Sequence, residues 1–137
     1  LARYVNTIAG NGLNRELTLI KDIVNYEGES QEKPEKDAVQ MEVDDHSIAI
    51  AKKGMQQAGS SYKFIKDLNY KIAAKSGTAQ ENALRPDHGL FVAFAPYDNP
   101  EIAISIVIEH GVRGANAAYV ARDLFDEYFN INNSEEE

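Results

Sequence analysis

The sequence predicts an α+β fold, an antiparallel sheet with helices packed against it. Three observations carry this. Strongly apolar runs of strand length crowd into the second half of the chain, and a short turn joins the last two, so they pair antiparallel. Segments with apolar residues at helical spacing stand before and after those runs. The order helix, strands, helix, three strands, helix does not alternate as a parallel βαβ fold would.

Taken in order, Leu1–Ala9 fits a helix through Leu1, Val5, Ile8 and Ala9, and Gly10-Asn11-Gly12 ends it. Leu17–Tyr26, rich in Ile, Val, Leu and Thr, reads as a strand. Glu27–Asp37 is charged, contains Pro34 and reads as an exposed hairpin connection, with Ala38–Val43 as a short return strand. Asp44 or Asp45 caps a helix that runs to about Ala58. Ile48, Ala51, Met55 and Ala58 share one face, and Gly59-Ser60-Ser61 closes it. Tyr70–Ala79 is a strand and Glu81–Gly89 a loop. Phe91–Ala95 and Ile102–Glu109 are two strands joined through Tyr97-Asp98-Asn99-Pro100-Glu101. Ile102, Ile104, Ile106 and Ile108 line one face, with Ala103, Ser105 and Val107 on the other, so both faces should be covered. After a turn at Gly111–Gly114, Asn116 caps a helix to about Phe129. Its stripe is Ala117, Val120, Ala121, Leu124, Phe125 and Tyr128.

A chain of 137 residues supports one domain with its own core, and its composition is that of a globular protein. The net charge of −8 argues against a nucleic-acid surface, which needs clustered Lys and Arg. Part of that charge lies in Glu135-Glu136-Glu137, and residues 130–137 read as a solvated, disordered acidic tail. Without cysteine there is no disulfide framework, thiolate metal site or Cys nucleophile. No apolar run approaches the roughly 20 residues of a membrane span. The first helix opens at Leu1 with no capping residue before it, so the chain reads as a fragment of a longer polypeptide. Its apolar strands should then expose surface that favours dimerisation or a companion segment of the same polypeptide.

The tetrad Lys75-Ser76-Gly77-Thr78 carries the candidate chemistry. A point charge, two hydroxyls and a bare backbone follow one another at the end of a strand, a set suited to holding an anion such as a carboxylate. The structural alternative is a solvated Lys on an ordinary strand end. His46, His88 and His110 show no metal-ligand spacing, and His46 and His110 read as surface or capping residues. His88 enters the strand beside the tetrad and is a candidate for lining the same cleft. Asp44 and Asp45 are explained as helix N-terminal charges. The glycines at 10, 12, 111 and 114 match no phosphate loop. No metal or cofactor is expected.

The tetrad extends to Lys75-Ser76-Gly77-Thr78-Ala79-Gln80, followed by His88-Gly89-Leu90-Phe91-Val92-Ala93-Phe94-Ala95-Pro96 and Asp98-Asn99-Pro100-Glu101. An Ile/Val-rich strand and a final helix come next. This succession resembles the C-terminal part of the transpeptidase domain of penicillin-binding proteins, closest to the monofunctional class. That family carries Lys-Thr/Ser-Gly on a strand of its central sheet, a His-led strand ending in Ala-Pro, and an Asn-Pro-Glu turn. Leu1–Gly12 is similar to its helix and Asn-Gly turn, and Ile48–Met55 to its Ile-x-x-Gly-Met helix. Leu90, Ala93 and Ala74 depart from the family's usual Trp, Gly and Gly.

The resemblance covers nearly the whole chain, and what it implies is specific. The fold would be part of a serine β-lactamase/transpeptidase-like domain. The activity would be a serine acyltransferase that cross-links peptidoglycan stem peptides and is acylated by β-lactams. Lys75 would supply positive potential and the proton relay, and Ser76 and Thr78 would hydrogen-bond the substrate carboxylate. Gly77 would let the substrate lie antiparallel, and the Thr78 N–H would be one oxyanion-hole donor. Lys75 and Thr78 are therefore the catalytic candidates, with Ser76, Gly77, Thr78 and His88 as substrate-binding candidates. The family's nucleophile lies upstream of these motifs, and Ser60…Lys63, the Ser-x-x-Lys present here, reads as a coincidence. The fragment would be inactive alone. The full protein would sit on the outer face of the bacterial cytoplasmic membrane, held by an N-terminal anchor outside this chain. A β-lactam sensor domain, a serine β-lactamase and a non-catalytic module that keeps the fold are the competing readings. The Asn-Pro-Glu hairpin and the Gly54-Met55 helix favour the transpeptidase over the first two.

Overall fold

The structure, a computed structural model, describes residues 1–31, 37–63 and 68–134, the last four by backbone alone. The elements are α1 (Ala2–Ala9), β1 (Leu13–Arg15), β2 (Ile23–Val24), β3 (Ser30–Gln31), β4 (Ala38–Gln40), α2 (Asp45–Ser60), β5 (Ala73–Ala79), β6 (His88–Ala95), β7 (Ile102–Ile108) and α3 (Gly114–Ser134). The α+β expectation holds: the main sheet is antiparallel in the order β5-β6-β7, with helices on both sides.

The first half of the chain departs from its sequence reading. The expected strand Leu17–Tyr26 is reduced to β2, paired with β3 around Gly28. There the Asn25 side chain accepts from the Glu27 and Glu29 amides and closes the turn. Leu17, Leu19 and Ile20 are 50%, 105% and 53% exposed. Side chains this exposed face no extensive covering surface, and β-propensity without one does not make a strand. The return strand is real but short, as β4 pairs with β1. Of the Glu27–Asp37 connection, residues 32–36 lie outside the described residues. At the end of α1 the chain reverses through Asn11 and Gly12, at φ 54° and 88°.

Asp44 caps α2 as expected, its carboxylate accepting from the Ser47 amide and hydroxyl, both at 3.0 Å. The Ser47 amide bond in particular holds the Asp44 carboxyl below its ordinary value. A depressed folded-state value stabilises above the unfolded one and is lost as the pH falls through it. Asp44→Asn keeps an acceptor but cannot titrate. It should therefore flatten the acid-side loss of stability below about pH 4, read as the urea midpoint against pH.

The buried face of α2 is centred on Ile48 and Gly59, with Met55 half-buried, whereas Ala51 is exposed. Gly59 does not close the helix but lies inside it. A Cβ there would come within 2.2 Å of the Ile72 carbonyl oxygen, so only glycine lets the helix cross the chain entering β5. Lys52 donates to the Ala9 carbonyl and the Asn11 side chain, tying α2 to the end of α1. Burial lowers the pKa of this amine.

In the main sheet β6 is central and begins at His88, not after Gly89. Its residues alternate between two cores. Phe91, Ala93 and Ala95 face α3, whose Ala117, Ala118, Ala121 and Phe125 are fully buried against them. Phe94, with Ala73 of β5, packs on Val5 and Ala9 of α1. The stripe of α3 is rotated from the expected one, since Val120 and Leu124 are exposed and Ala118 is buried. β7 is an edge strand with its isoleucines half-covered and Val107 exposed, so its two faces are only partly covered. α3 starts at Gly114, and Asn116 does not cap it. Its side chain donates instead to the Gly111 carbonyl of the preceding turn. The helix continues past Phe129 to Ser134, and Glu135–Glu137 lie outside the described residues.

Candidate functional site

The tetrad occupies the middle of β5, which pairs only with β6 among the described residues. One edge of the strand is thus open beside Lys75–Thr78. Ala73 and Ala74 are buried, Ser76 is half-buried, and Lys75, Gly77 and Thr78 are exposed. The cross-strand register pairs Lys75 with Val92, Ser76 with Phe91, Gly77 with Leu90 and Thr78 with Gly89. Because pleated side chains alternate, Ser76 and Thr78 share the α3 side with Phe91, while Lys75 and Gly77 lie on the α1 side. A ligand meeting all four must therefore run along the open edge rather than sit on one face. The Lys75 ammonium donates to the Ser76 carbonyl at 2.5 Å, so it lies alongside its own strand.

The back of this strand is unusually close to α3. A Cβ at Gly114 would lie 2.2 Å from the Gly77 oxygen and 2.5 Å from the Leu90 oxygen. One at Gly89 would lie 2.7 Å from the Arg113 oxygen. Glycines at 89 and 114 thus let the first turn of α3 rest directly on the β5–β6 backbone. A Cβ at Gly77 would meet only the Leu90 side chain, at an ordinary 3.6 Å, leaving room for another backbone on that side.

His88 stands opposite Ala79, one position beyond the tetrad, and its ring joins a separate group. Its Nε2 is 3.6 Å from the Glu81 carboxylate, and its Nδ1 accepts from the His110 amide at 3.1 Å. The two imidazoles are tilted by 33° with centroids 5.0 Å apart, and the His110 Nδ1 lies 3.0 Å from the Pro86 carbonyl. Glu81 and His110 were not among the expected site residues. The available signal was the hairpin register: once Gly89 faces Ile108, residues 88 and 110 arrive at the same end of the strand pair.

Ser60 is tied to its own helix, its hydroxyl donating to the Gln56 backbone carbonyl and accepting from the Gln56 side-chain Nε2. Two cavities, of about 460 and 290 Å³, lie around α1 and α2, and none of the tetrad lines them.

The sequence matches the penicillin binding protein transpeptidase domain family over residues 1–126. The chain belongs to this family. It is 37% identical over 100 residues to the peptidoglycan D,D-transpeptidase MrdA of Haemophilus influenzae, covering 58% of this chain and 15% of that protein. It is 30% identical to penicillin-binding protein 2A of Bacillus subtilis over 159 aligned positions, covering 99% of this chain and 22% of that one. Among solved structures it resembles penicillin-binding protein A of M. tuberculosis, an imipenem acyl-enzyme complex, with a TM-score of 0.82 at 23% identity over 93% of this chain and 29% of that one. PBP2 of Pseudomonas aeruginosa in complex with WCK 5153 gives 0.73 at 32% identity, over 93% and 29%. The chain therefore spans only a small part of each relative.

Proposed function

We propose that this chain is the C-terminal part of a serine D,D-transpeptidase and supplies the substrate-holding wall of its active site. One observation carries the reading: the Lys-Ser-Gly-Thr tetrad lies along a strand edge that is unpaired among the described residues. An extended stem peptide added antiparallel to that edge would gain backbone hydrogen bonds to β5. Its carboxylate would then meet the Lys75 charge and the Ser76 and Thr78 hydroxyls from the two sides of the pleat. The Thr78 amide would donate to the oxyanion that forms during acyl transfer. A β-lactam would enter the same way and remain as the acyl-enzyme. The nucleophilic serine, its Ser-x-x-Lys partner and the Ser-x-Asn residue come from the rest of the polypeptide.

That remainder would also cover the apolar surface around β1–β4, where Leu19, Tyr26 and Val39 are exposed. Among the described residues no helix is long and apolar enough to cross a membrane. In this reading the anchor that holds the enzyme at the outer face of the cytoplasmic membrane also belongs to the remainder. The MrdA name of its relatives favours peptidoglycan transpeptidation over a sensor or a β-lactamase.

A fluorescent penicillin tests the assignment. The complete polypeptide should be labelled covalently, and labelling should survive denaturation. The 137-residue chain alone should remain unlabelled. Stable labelling of the chain alone would place the nucleophile within it and overturn this division of the site.

A further inference from the structure

The turn between β7 and α3 is strained where it supports the tetrad strand. His110 and Val112 both sit in the left-handed region, at φ 53° and 68°. For a β-branched residue such as Val112 this is a true outlier, and such positions persist only when neighbours hold them. Two bonds from the start of β6 do so here. The His110 amide donates to His88 Nδ1 at 3.1 Å, and the Val112 amide to the Asp87 carbonyl at 2.9 Å. The turn leads directly into Gly114, which rests on the Gly77 backbone.

The His110 amide can bond only to an unprotonated Nδ1. A neutral His88 must then carry its proton on Nε2, the nitrogen facing Glu81. This tautomer also weighs against a metal at Glu81, His88 and His110, although their ligand atoms lie within 4.8 Å of one another. An imidazole ligand normally donates through its second nitrogen, whereas here that nitrogen accepts.

We infer that His88 is a positioning residue for the Lys75–Thr78 strand. It acts in its neutral form as the acceptor that holds turn 110–112 under the first turn of α3. When Nδ1 takes a proton from solvent, it becomes a donor facing the His110 N–H, and that bond is lost. The turn then loses the bond of the His110 amide, while the Val112 amide keeps the Asp87 carbonyl, and the seat of α3 on Gly77 loosens. The groups around His88 are Glu81 after β5, its chain neighbour Asp87, His110 after β7 and, just before α3, Arg113, whose backbone oxygen lies by Gly89. The consequence for acyl transfer rests on the transpeptidase reading; the tautomer and the turn do not.

Two measurements test this. In the 137-residue chain, imidazole nitrogen spectra should show His88 as the Nε2–H tautomer near neutral pH. The His110 amide should lose exchange protection together with His88 titration on acidification. An Nδ1–H tautomer, or a His110 amide indifferent to that titration, would overturn the inference. In the complete polypeptide, penicillin acylation should fall as the pH drops from about 8 to about 5, the range in which imidazoles charge. His88→Asn places Oδ1 where Nδ1 stood. It should keep acylation within about twofold of the native rate at high pH and remove the contribution of His88 to the acid-side fall. His88→Ala should lower acylation about tenfold to a hundredfold across that range, the scale of a misplaced site. Glu81→Gln should leave the high-pH rate within about twofold. An Asn variant as impaired as the Ala variant, or a pH profile identical in wild type and His88→Asn, would overturn the inference. If His88→Ala fails to fold, the Asn profile and the spectra still decide. Absence of labelling in every variant would instead overturn the transpeptidase reading.

Discussion

Gly114→Ala should destabilise the chain by about 3 kcal/mol, a larger effect than one added methyl group commonly has. The new Cβ would stand 2.2 Å from the Gly77 oxygen, 2.5 Å from the Leu90 oxygen and 2.8 Å from the Gly77 nitrogen. All three are backbone atoms of two paired strands, so none can turn aside as a side chain would. Helix α3 has to lift from the sheet at its first turn. Ala117, Ala118, Ala121 and Phe125, all fully buried, lose part of their contact as it does. Gly114→Val should approach complete unfolding, given the roughly 5–15 kcal/mol that holds an ordinary domain. Gly54→Ala is the control. It lies within α2 with nothing inside 4 Å of the new Cβ, and should stabilise by about 0.5–1 kcal/mol through helix propensity. Urea denaturation of the three variants measures the contrast. A Gly114→Ala chain as stable as wild type would mean that α3 does not rest on the β5–β6 pair.

This contact also marks where sequence reading stops. The β5–β7 strands and the Asp44 cap were legible, because each depends on neighbours in sequence, and so was the tetrad's place on a strand, although it falls in the middle of β5 rather than at its end. Gly59, Gly89 and Gly114 read as helix end, loop and turn, because their role depends on a backbone arriving from elsewhere. The same limit explains Leu17–Tyr26. Its composition favours a strand, but strands need a partner and a covering surface, and the described chain provides neither beyond the two residues of β2. The α3 stripe was placed partly off its buried side for a related reason. Ala117, Ala121 and Phe125 are buried as expected, but Val120 and Leu124 are exposed and Ala118 is buried instead. Alanines 117, 118 and 121 are too small to dominate a hydrophobic pattern, yet only small residues let a helix lie this close to a sheet. The site itself was half legible. The residue types of the tetrad pointed to an anion grip, but not to the division of charge and hydroxyls between the two sides of the pleat.

That division leads to the functional prediction with the largest effect. In the complete polypeptide, Lys75→Met should lower the rate of penicillin acylation by about 10²–10³-fold, the scale of removing one group aimed at developing charge. The stability cost should stay within about 0.5 kcal/mol, because the side chain is exposed and bonds only the adjacent Ser76 carbonyl among the contacts described. Lys75→Arg keeps the charge but spreads it over a planar fork, and should recover only part of the rate. Thr78→Val removes a hydroxyl while leaving the backbone amide in place, so its loss should be smaller, about tenfold. The double variant distinguishes two modes of binding. If one carboxylate lies along the open edge and touches Lys75 from one side of the pleat and Thr78 from the other, the two losses share a partner. They should then fail to add by roughly 0.5–3 kcal/mol. If each residue meets a different group on its own face of the sheet, the losses add. Additive losses, or a Lys75→Met protein acylated at the native rate, would remove the strand-edge grip and with it the main support for assigning this chain to the substrate wall.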